Sequence, residues 1–374
     1  MEFVKSYDPY DLWSIPTLGN LKSGWSNNKV SSILAIPLIG AAELLIPIAS
    51  RKFFSAPKNY FANSLALEYF YSSIRDKSCY LNLLQSLQSS DHGWGLPFAW
   101  HSKNGCYPAG LSFITHSLYP MEALLHMSKN LNMPEAKYAF NTFKGTWDFL
   151  QKLHVMQENK NGLALSYAPI NEPRIVINAN TYAAAAYAIH ANNNNEINRE
   201  IAVDQASNIT KWVISQQQDD GSWLYYSDNG SGNFIDCFHS CFVVKNLIKI
   251  QHYLPELTVQ IQPAVERGWR YIQDNFYDDR QGLCRRFSLR SHRDPFRWDL
   301  YDQAEYLGLL IDFSLYDEAY DFTKKVEQRF FKDQHWYCRL DIFGRRWGKD
   351  FLRWGIAPYL YHKHRFQQLY AGDN

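Results

Sequence analysis

A chain of 374 residues that is 46% hydrophobic and 16% aromatic can bury a large core, and no Pro/Ser-rich linker divides it. A single domain over 1–374 is expected, with residues 1–30 as an irregular N-terminal segment packed on it. The 38 basic and 37 acidic residues leave a net charge of +1, which excludes a general nucleic-acid binder that works by neutralising phosphates.

Six cysteines (79, 106, 237, 241, 284, 338) form no CxxC pair, and MEFVKSYDPYDLW lacks the apolar core of a secretion signal. A reducing, cytoplasmic setting with free thiols is expected. Cys237 and Cys241 lie four apart beside His239 and read as small buried thiols rather than zinc ligands, so neither a metal nor a cofactor is expected.

The first apolar stretch, ILAIPLIGAAELLIPIA over 33–49, carries Glu43 and is interrupted by Pro37 and Pro47. It falls short of the roughly 20 apolar residues of a membrane span, and a buried helix is expected. Residues 60–88 then read as one long helix with Leu65, Tyr69, Leu81, Leu84 and Leu87 inward, ending in QSSDHGWG. After LPFAW and a loop with Gly105 and Pro108, a helix begins near Thr115 and His116.

The same plan recurs four times. Phe143, Trp147 and Leu150 lead to NGLALSY and a helix opening at Asn178. Ile209, Trp212 and Val213 lead through Gly221, Trp223, Tyr225 and Tyr226 to a helix starting near Asp236, an N-cap or first-turn acid. Val265, Trp269, Ile272 and Phe276 precede DDRQGLCRRF and a helix with RWDLYDQAEYL. Phe322, Val326 and Phe330 precede DQHWYCRL, a loop with Gly344 and GKDFLRWGIAPYL.

Turn glycines 93, 162, 221 and 282 are 69, 59 and 61 residues apart, and Gln334 follows Gln281 by 53. A period near 60 with two helices per copy means that each hairpin buries its face only by stacking on neighbours. About six such hairpins fill the chain, the number that closes an all-α (α/α)6 toroid; an open solenoid is the alternative. In the ring, helices following the Gly-aromatic turns are the inner ones, and their N-termini converge on one mouth.

QQQDDGSW resembles the repeat of triterpene cyclases and protein prenyltransferases, which are also α/α toroids, but the chain has neither a DxDD acid motif nor the DxC spacing of the prenyltransferase zinc site. A resemblance over nearly the whole chain is carried by DPYD, HGWGLPFAW, THSLYPMEALL, DGSWLYY and DCFHSCFVVKNL. Together these look like the VpsJ-like toroid proteins of bacterial exopolysaccharide and O-antigen clusters, distantly similar to heparosan glucuronyl C5-epimerases. That similarity is sharpest at Arg297-Trp298-Asp299, followed by Leu300 where the epimerases carry a proton-transfer tyrosine.

Arg280, Arg285, Arg286, Arg290, Arg293 and Arg297 lie within 18 residues with Asp294 as the internal acid, and Arg339, Arg345, Arg346, Lys349 and Arg353 form a second basic stretch. On the mouth such forks would hold carboxylates, so Arg285, Arg297 and Arg353 are expected to bind an acidic glycan. Trp94, Trp223 and Tyr225, with Trp100, Trp298, Trp336 and Trp354, would offer flat faces to sugar rings, and His116 would join them.

For proton transfer the residues singled out are His239 and Asp299, with Asp236 supporting His239. Asp302, Tyr167 and Tyr225 are further acid/base possibilities. Asp236 and Asp299 read equally as helix caps, and His116 as a hydrogen-bonded core residue. The function expected is a carbohydrate-active protein of polysaccharide biosynthesis with epimerase, lyase or hydrolase chemistry. The alternative is a non-catalytic glycan-binding toroid of the same pathway.

Overall fold

The computed structural model describes residues 3–26, 30–74, 76–102, 105–193, 196–289 and 296–370. Arg290, Arg293 and Asp294 lie outside these residues. Three helices come first: α1 (Pro16–Ser26), α2 (Val30–Leu45) and α3 (Pro47–Phe53). Part of the segment read as irregular is thus helical.

The repeats follow. Helices α4 (Ala62–Tyr71) and α5 (Ser78–Ser86) precede hairpin β1 (Trp100–Ser102) and β2 (Gly105–Tyr107). Next come α6 (Ile114–Asn130), α7 (Glu135–Gln151), hairpin β3 (Val155–Asn159) and β4 (Gly162–Leu165), then α8 (Ile177–Ala191) and α9 (Glu196–Ser215). Strand β5 (Ile235–Asp236) leads into α10 (Cys237–Tyr253) and α11 (Thr258–Phe276). Strands β6 (Tyr277–Asp278), β7 (Leu283–Cys284), β8 (Phe287–Leu289) and β9 (Phe296–Asp299) precede α12 (Leu300–Asp312) and α13 (Tyr316–Phe330). Strands β10 (Phe331–Lys332), β11 (His335–Asp341) and β12 (Arg346–Lys349) precede α14 (Ala357–Tyr370).

The long helix expected over 60–88 is two. Its middle, 72–78, is rich in side chains that compete for backbone hydrogen bonds: Ser72 Oγ accepts from the Ile74 amide and Asp76 accepts from the amide and hydroxyl of Ser78.

Two kinds of helix alternate. Helices α11 and α13 bury one stripe each, Ile261, Val265, Trp269, Ile272 and Phe276 in one and Phe322, Val326 and Phe330 in the other. Helices α8 and α12 are buried nearly all round. The helices of this second kind touch in order: α4 packs on α6, α6 on α8, α8 on α10, α10 on α12, α12 on α14, and α14 on α4. The series of contacts returns to its first member.

The turn glycines have a repeated reason. Gly162 and Gly221 have positive φ, and a methyl on either would strike a backbone carbonyl of a later helix, that of Asn208 in α9 or Arg267 in α11. The tryptophans beside the turns are plugs: Trp94 Nε1 donates to the Leu84 carbonyl at 2.8 Å and Trp223 Nε1 to the Val213 carbonyl at 3.0 Å, each ten residues upstream in the last turn of α5 or α9. Carbonyls in that turn lack helical partners, and an indole N–H supplies one.

Strand β11 is the centre of a four-stranded sheet with β9, β10 and β12. Its register sets Arg339 opposite Asp299 at the start of α12. From the other end of the chain, Asp8 accepts from Arg353 Nη2 at 2.8 Å and also from its Nε, and both residues are buried.

Helices α1 and α2 share a small separate core of Leu12, Leu18, Ile39 and Ala56. The expectation of a buried helix over 33–49 is corrected here, because Leu38, Leu45 and Ile46 are exposed: four core residues are too few to cover a helix apolar on more than one side. Among the described residues no helix is long and apolar enough to cross a membrane.

Candidate active site

The second residue of five successive buried helices, Asn63 in α4, Thr115 in α6, Asn178 in α8, Phe238 in α10 and Tyr301 in α12, lines one cavity. In front of α14 its place is taken by Arg353 and Trp354. The cavity measures about 360 Å³ and is walled by aromatic rings. Trp100 stacks on Tyr107 at 5.1 Å, Phe238 on Tyr301 at 5.1 Å, and Tyr225 on Phe234 at 4.6 Å. The convergence follows from the repeat, since each turn delivers its helix from the same side and leaves first-turn side chains and amides facing inward.

The third residues of α6 and α10 are His116 and His239, both on the cavity wall. Asp236, just before α10, occupies the cap position without capping; both its carboxylate oxygens lie 2.8 Å from Nδ1 of His239. A carboxylate only accepts, so Nδ1 carries the proton. Among the described residues Nε2 of His239 has no hydrogen-bond partner. The imidazole is therefore held in the tautomer whose other nitrogen can take a proton, with Tyr225 and Phe238 rings at 4.6 and 4.0 Å fixing its plane.

The amide of Phe238 that Asp236 leaves open donates to Asp302 at 3.0 Å. Burial, then the charge of Asp299, push the Asp302 carboxyl well above its ordinary range. It is a neutral structural group behind the wall.

His116 differs from His239. Burial, then the Arg353 charge, lower its pKa to about 3, so it is neutral near pH 7. Among the described residues its Nε2 has no hydrogen-bond partner, and Thr115 Oγ1 lies 3.3 Å from Nδ1 and 2.7 Å from the Tyr167 hydroxyl. Burial raises Tyr167 and Tyr225, which stay protonated near pH 7.

Of the residues singled out from sequence, His239, Asp236, Tyr225, Tyr167, His116, Arg353, Trp100 and Trp354 come together on this cavity, and Asp299, Asp302, Arg285, Arg297, Trp94, Trp223, Trp298 and Trp336 do not line it. Asp299 is fully buried, with Oδ2 accepting from Arg286 Nη1 at 2.8 Å, Arg339 Nε at 3.0 Å and Trp354 Nε1 at 2.7 Å, and Oδ1 from the Tyr301 amide at 2.9 Å. Held by these four donors, it caps α12 and aims two wall residues. Trp94 and Trp223 are core plugs with no face for a sugar. Arg285 is exposed and paired with Asp278 at 2.9 Å, and Arg297 is exposed beside Trp298.

Arg286, the neighbour of Arg285 in the same run, lines the cavity instead, its guanidinium held by the buried Asp299. Tyr10, Asn63, Tyr107, Phe238 and Tyr301 were not legible as wall residues. The second-position rule across helix starts is the signal that finds three of them.

No family model matches the sequence, and no curated protein matches it. Solved structures do. Cellobiose 2-epimerase from Bacillus thermoamylovorans superposes with a TM-score of 0.59 at 9% identity, covering 83% of this chain and 86% of that one. The likeness is one of fold. A sugar epimerase from a ruminal bacterium gives 0.57 at 12% identity, with the same coverage of 83% and 86%. A family 105 glycoside hydrolase from C. acetobutylicum gives 0.54 at 14% identity, covering 82% of this chain and 92% of that one.

Proposed function

We propose that the protein is a sugar-processing enzyme that moves a proton on carbon, in the manner of an epimerase or isomerase, with the hairpins closing an (α/α)6 toroid around its cavity. The observation that carries this reading is the Asp236–His239 pair: Asp236 is the one carboxylate among the described lining residues, and it is spent on orienting an imidazole. Hydrolysis by paired carboxylates needs a second acid across the cavity, which favours base chemistry here. The sugar-active neighbours, two epimerases and a hydrolase, support a carbohydrate substrate.

In this reading the open-chain sugar lies against Trp100, Trp354 and Tyr301. His239 Nε2 takes the proton from the carbon next to the carbonyl, and Asp236 stabilises the imidazolium that forms. The electron pair moves onto the carbonyl oxygen. Neutral His116 and the phenols of Tyr167 and Tyr225 are donors suited to that developing negative oxygen. Proton return to the opposite face of the same carbon gives the epimer, and return to the former carbonyl carbon gives the isomer. The cavity volume, at the lower end of the range of about 300–1,000 Å³ for small-molecule sites, suits a mono- or disaccharide rather than a polymer segment.

A uronate-containing glycan of polysaccharide biosynthesis is the second reading, favoured by Arg286 and Arg353 in the wall, where a carboxylate would meet guanidinium groups.

The test is exchange in D2O. Incubated with neutral and uronate reducing sugars, the protein is expected to wash out the proton next to the carbonyl, read by NMR. His239→Gln should slow this by about 10²–10⁴-fold without loss of fold. Binding without exchange in any sugar would instead support a glycan-binding protein.

A further inference from the structure

We propose that the outer face of α2 and α3 is a docking surface for an anionic lipid bilayer, independent of the reaction in the cavity. Along α2 the exposed residues Leu38, Ala41 and Leu45 fall at i, i+3 and i+7, and Ile46, which joins the helices, with Ala49 and Phe53 of α3 repeats that spacing. Leu38 is 71% exposed, Leu45 64%, Ile46 53% and Phe53 82%. Scattered apolar side chains on a surface need no explanation, but a repeated exposed row on each of two consecutive helices is apolar area that water does not favour.

The opposite side of the same unit is covered, with Ile39 packed against Leu12, Leu18 and Ala56. The exposed rows are therefore a face, not an unfolded end.

Charge selects the partner. Between residues 30 and 58 the one acid is Glu43, and Arg51 Nη2 holds it at 2.7 Å. The other charge in and next to this unit is basic: Lys52 and Lys58 are exposed, Lys58 over the Tyr7 ring, and Lys5, over the Tyr60 ring, is exposed beside Val4, which is itself 62% exposed. An apolar strip accompanied by lysines matches the acyl boundary and the anionic headgroups of a membrane surface, whereas a span is excluded by length. Tyr10, next to this unit, lines the cavity, and Gly19 of α1 packs on His101 of β1. Docking would thus hold the cavity beside the bilayer.

Flotation of the full chain with vesicles tests this, using phosphatidylcholine alone and phosphatidylcholine with about a third phosphatidylglycerol. The protein is expected to float with the anionic vesicles, less so as salt rises. Leu45→Glu/Phe53→Glu should reduce the bound fraction about tenfold or more, and Lys52→Glu/Lys58→Glu should abolish the preference for phosphatidylglycerol. Thermal melting checks that the variants fold; if the first pair does not, Leu38→Ser/Phe53→Ser reads the same loss. Failure of the wild type to float with either vesicle, or equal flotation of the variants, overturns the proposal. So does conversion of a dimer to a monomer by the apolar substitutions with no vesicle binding, which would make a second copy the occupant.

Discussion

Asp236 and His239 sit three residues apart at the start of α10, with both carboxylate oxygens 2.8 Å from Nδ1. If the pair acts as a unit, Asp236→Asn, which no longer imposes the tautomer, should slow proton exchange by about 10²-fold or more. Asp236→Asn/His239→Gln should be no slower than the worse single variant. Exchange rates in D2O for the three variants check this; multiplicative losses would mean that the residues act separately.

Asp299 is expected to report on stability before chemistry. Asparagine at 299 removes the charge that Arg286 and Arg339 share and sets an amide N–H against their donors. A loss of about 3–5 kcal/mol in urea denaturation follows from breaking a buried ion pair on one side. A variant of unchanged stability that had lost activity would return Asp299 to direct action on substrate.

His116 gives a pH dependence with a definite sign. Its pKa is depressed to about 3 when folded, against 6.5 for the free side chain, so the unfolded chain binds the proton more readily. Its contribution is complete above about pH 6.5 and is lost as pH falls towards 3. His116→Gln should therefore flatten the acid limb of the stability curve by up to about 1.4 kcal/mol per pH unit in that window. Denaturation of both proteins at a series of pH values measures the difference.

Gly355 joins the wall to α14 with φ at +89°, and a methyl there would lie 2.5 Å from the Tyr301 amide nitrogen. Gly355→Ala is expected to cost at least about 2 kcal/mol and to weaken sugar binding by displacing Trp354 or Tyr301. Gly344 is the control: φ is +77° but nothing lies within 4 Å, so Gly344→Ala should cost only about 1 kcal/mol and leave binding alone. Melting curves and sugar titrations separate the two.

The helical hairpins were legible because the outer helices expose one face, which writes a stripe such as Val265, Trp269, Ile272 and Phe276 into the sequence. The turns were legible because a close backbone approach demands Gly162 and Gly221. Helix α8, buried all round, carries no such stripe and was located only by its opening asparagines.

Within the cavity, Asp236 and His239 were singled out by their place at a helix start, a local property. Trp94 and Trp223 were misassigned because a tryptophan beside a turn is written identically whether its ring faces a ligand or its N–H closes a helix end. Tyr10 and Arg286 are placed by contacts between residues distant in the chain, which local pattern does not encode.

The contact of α14 with α4, and of Arg353 with Asp8 345 positions earlier, bears on how the molecule is made. During synthesis the first buried helix has no neighbour on one side until the last hairpin leaves the ribosome. Its apolar flank must wait, shielded by transient contacts or by chaperones, while the intervening hairpins stack. The wall containing Trp354 arrives in the same final stretch. A nascent chain stalled before Arg353 would hold most of its helices and none of its finished binding chamber.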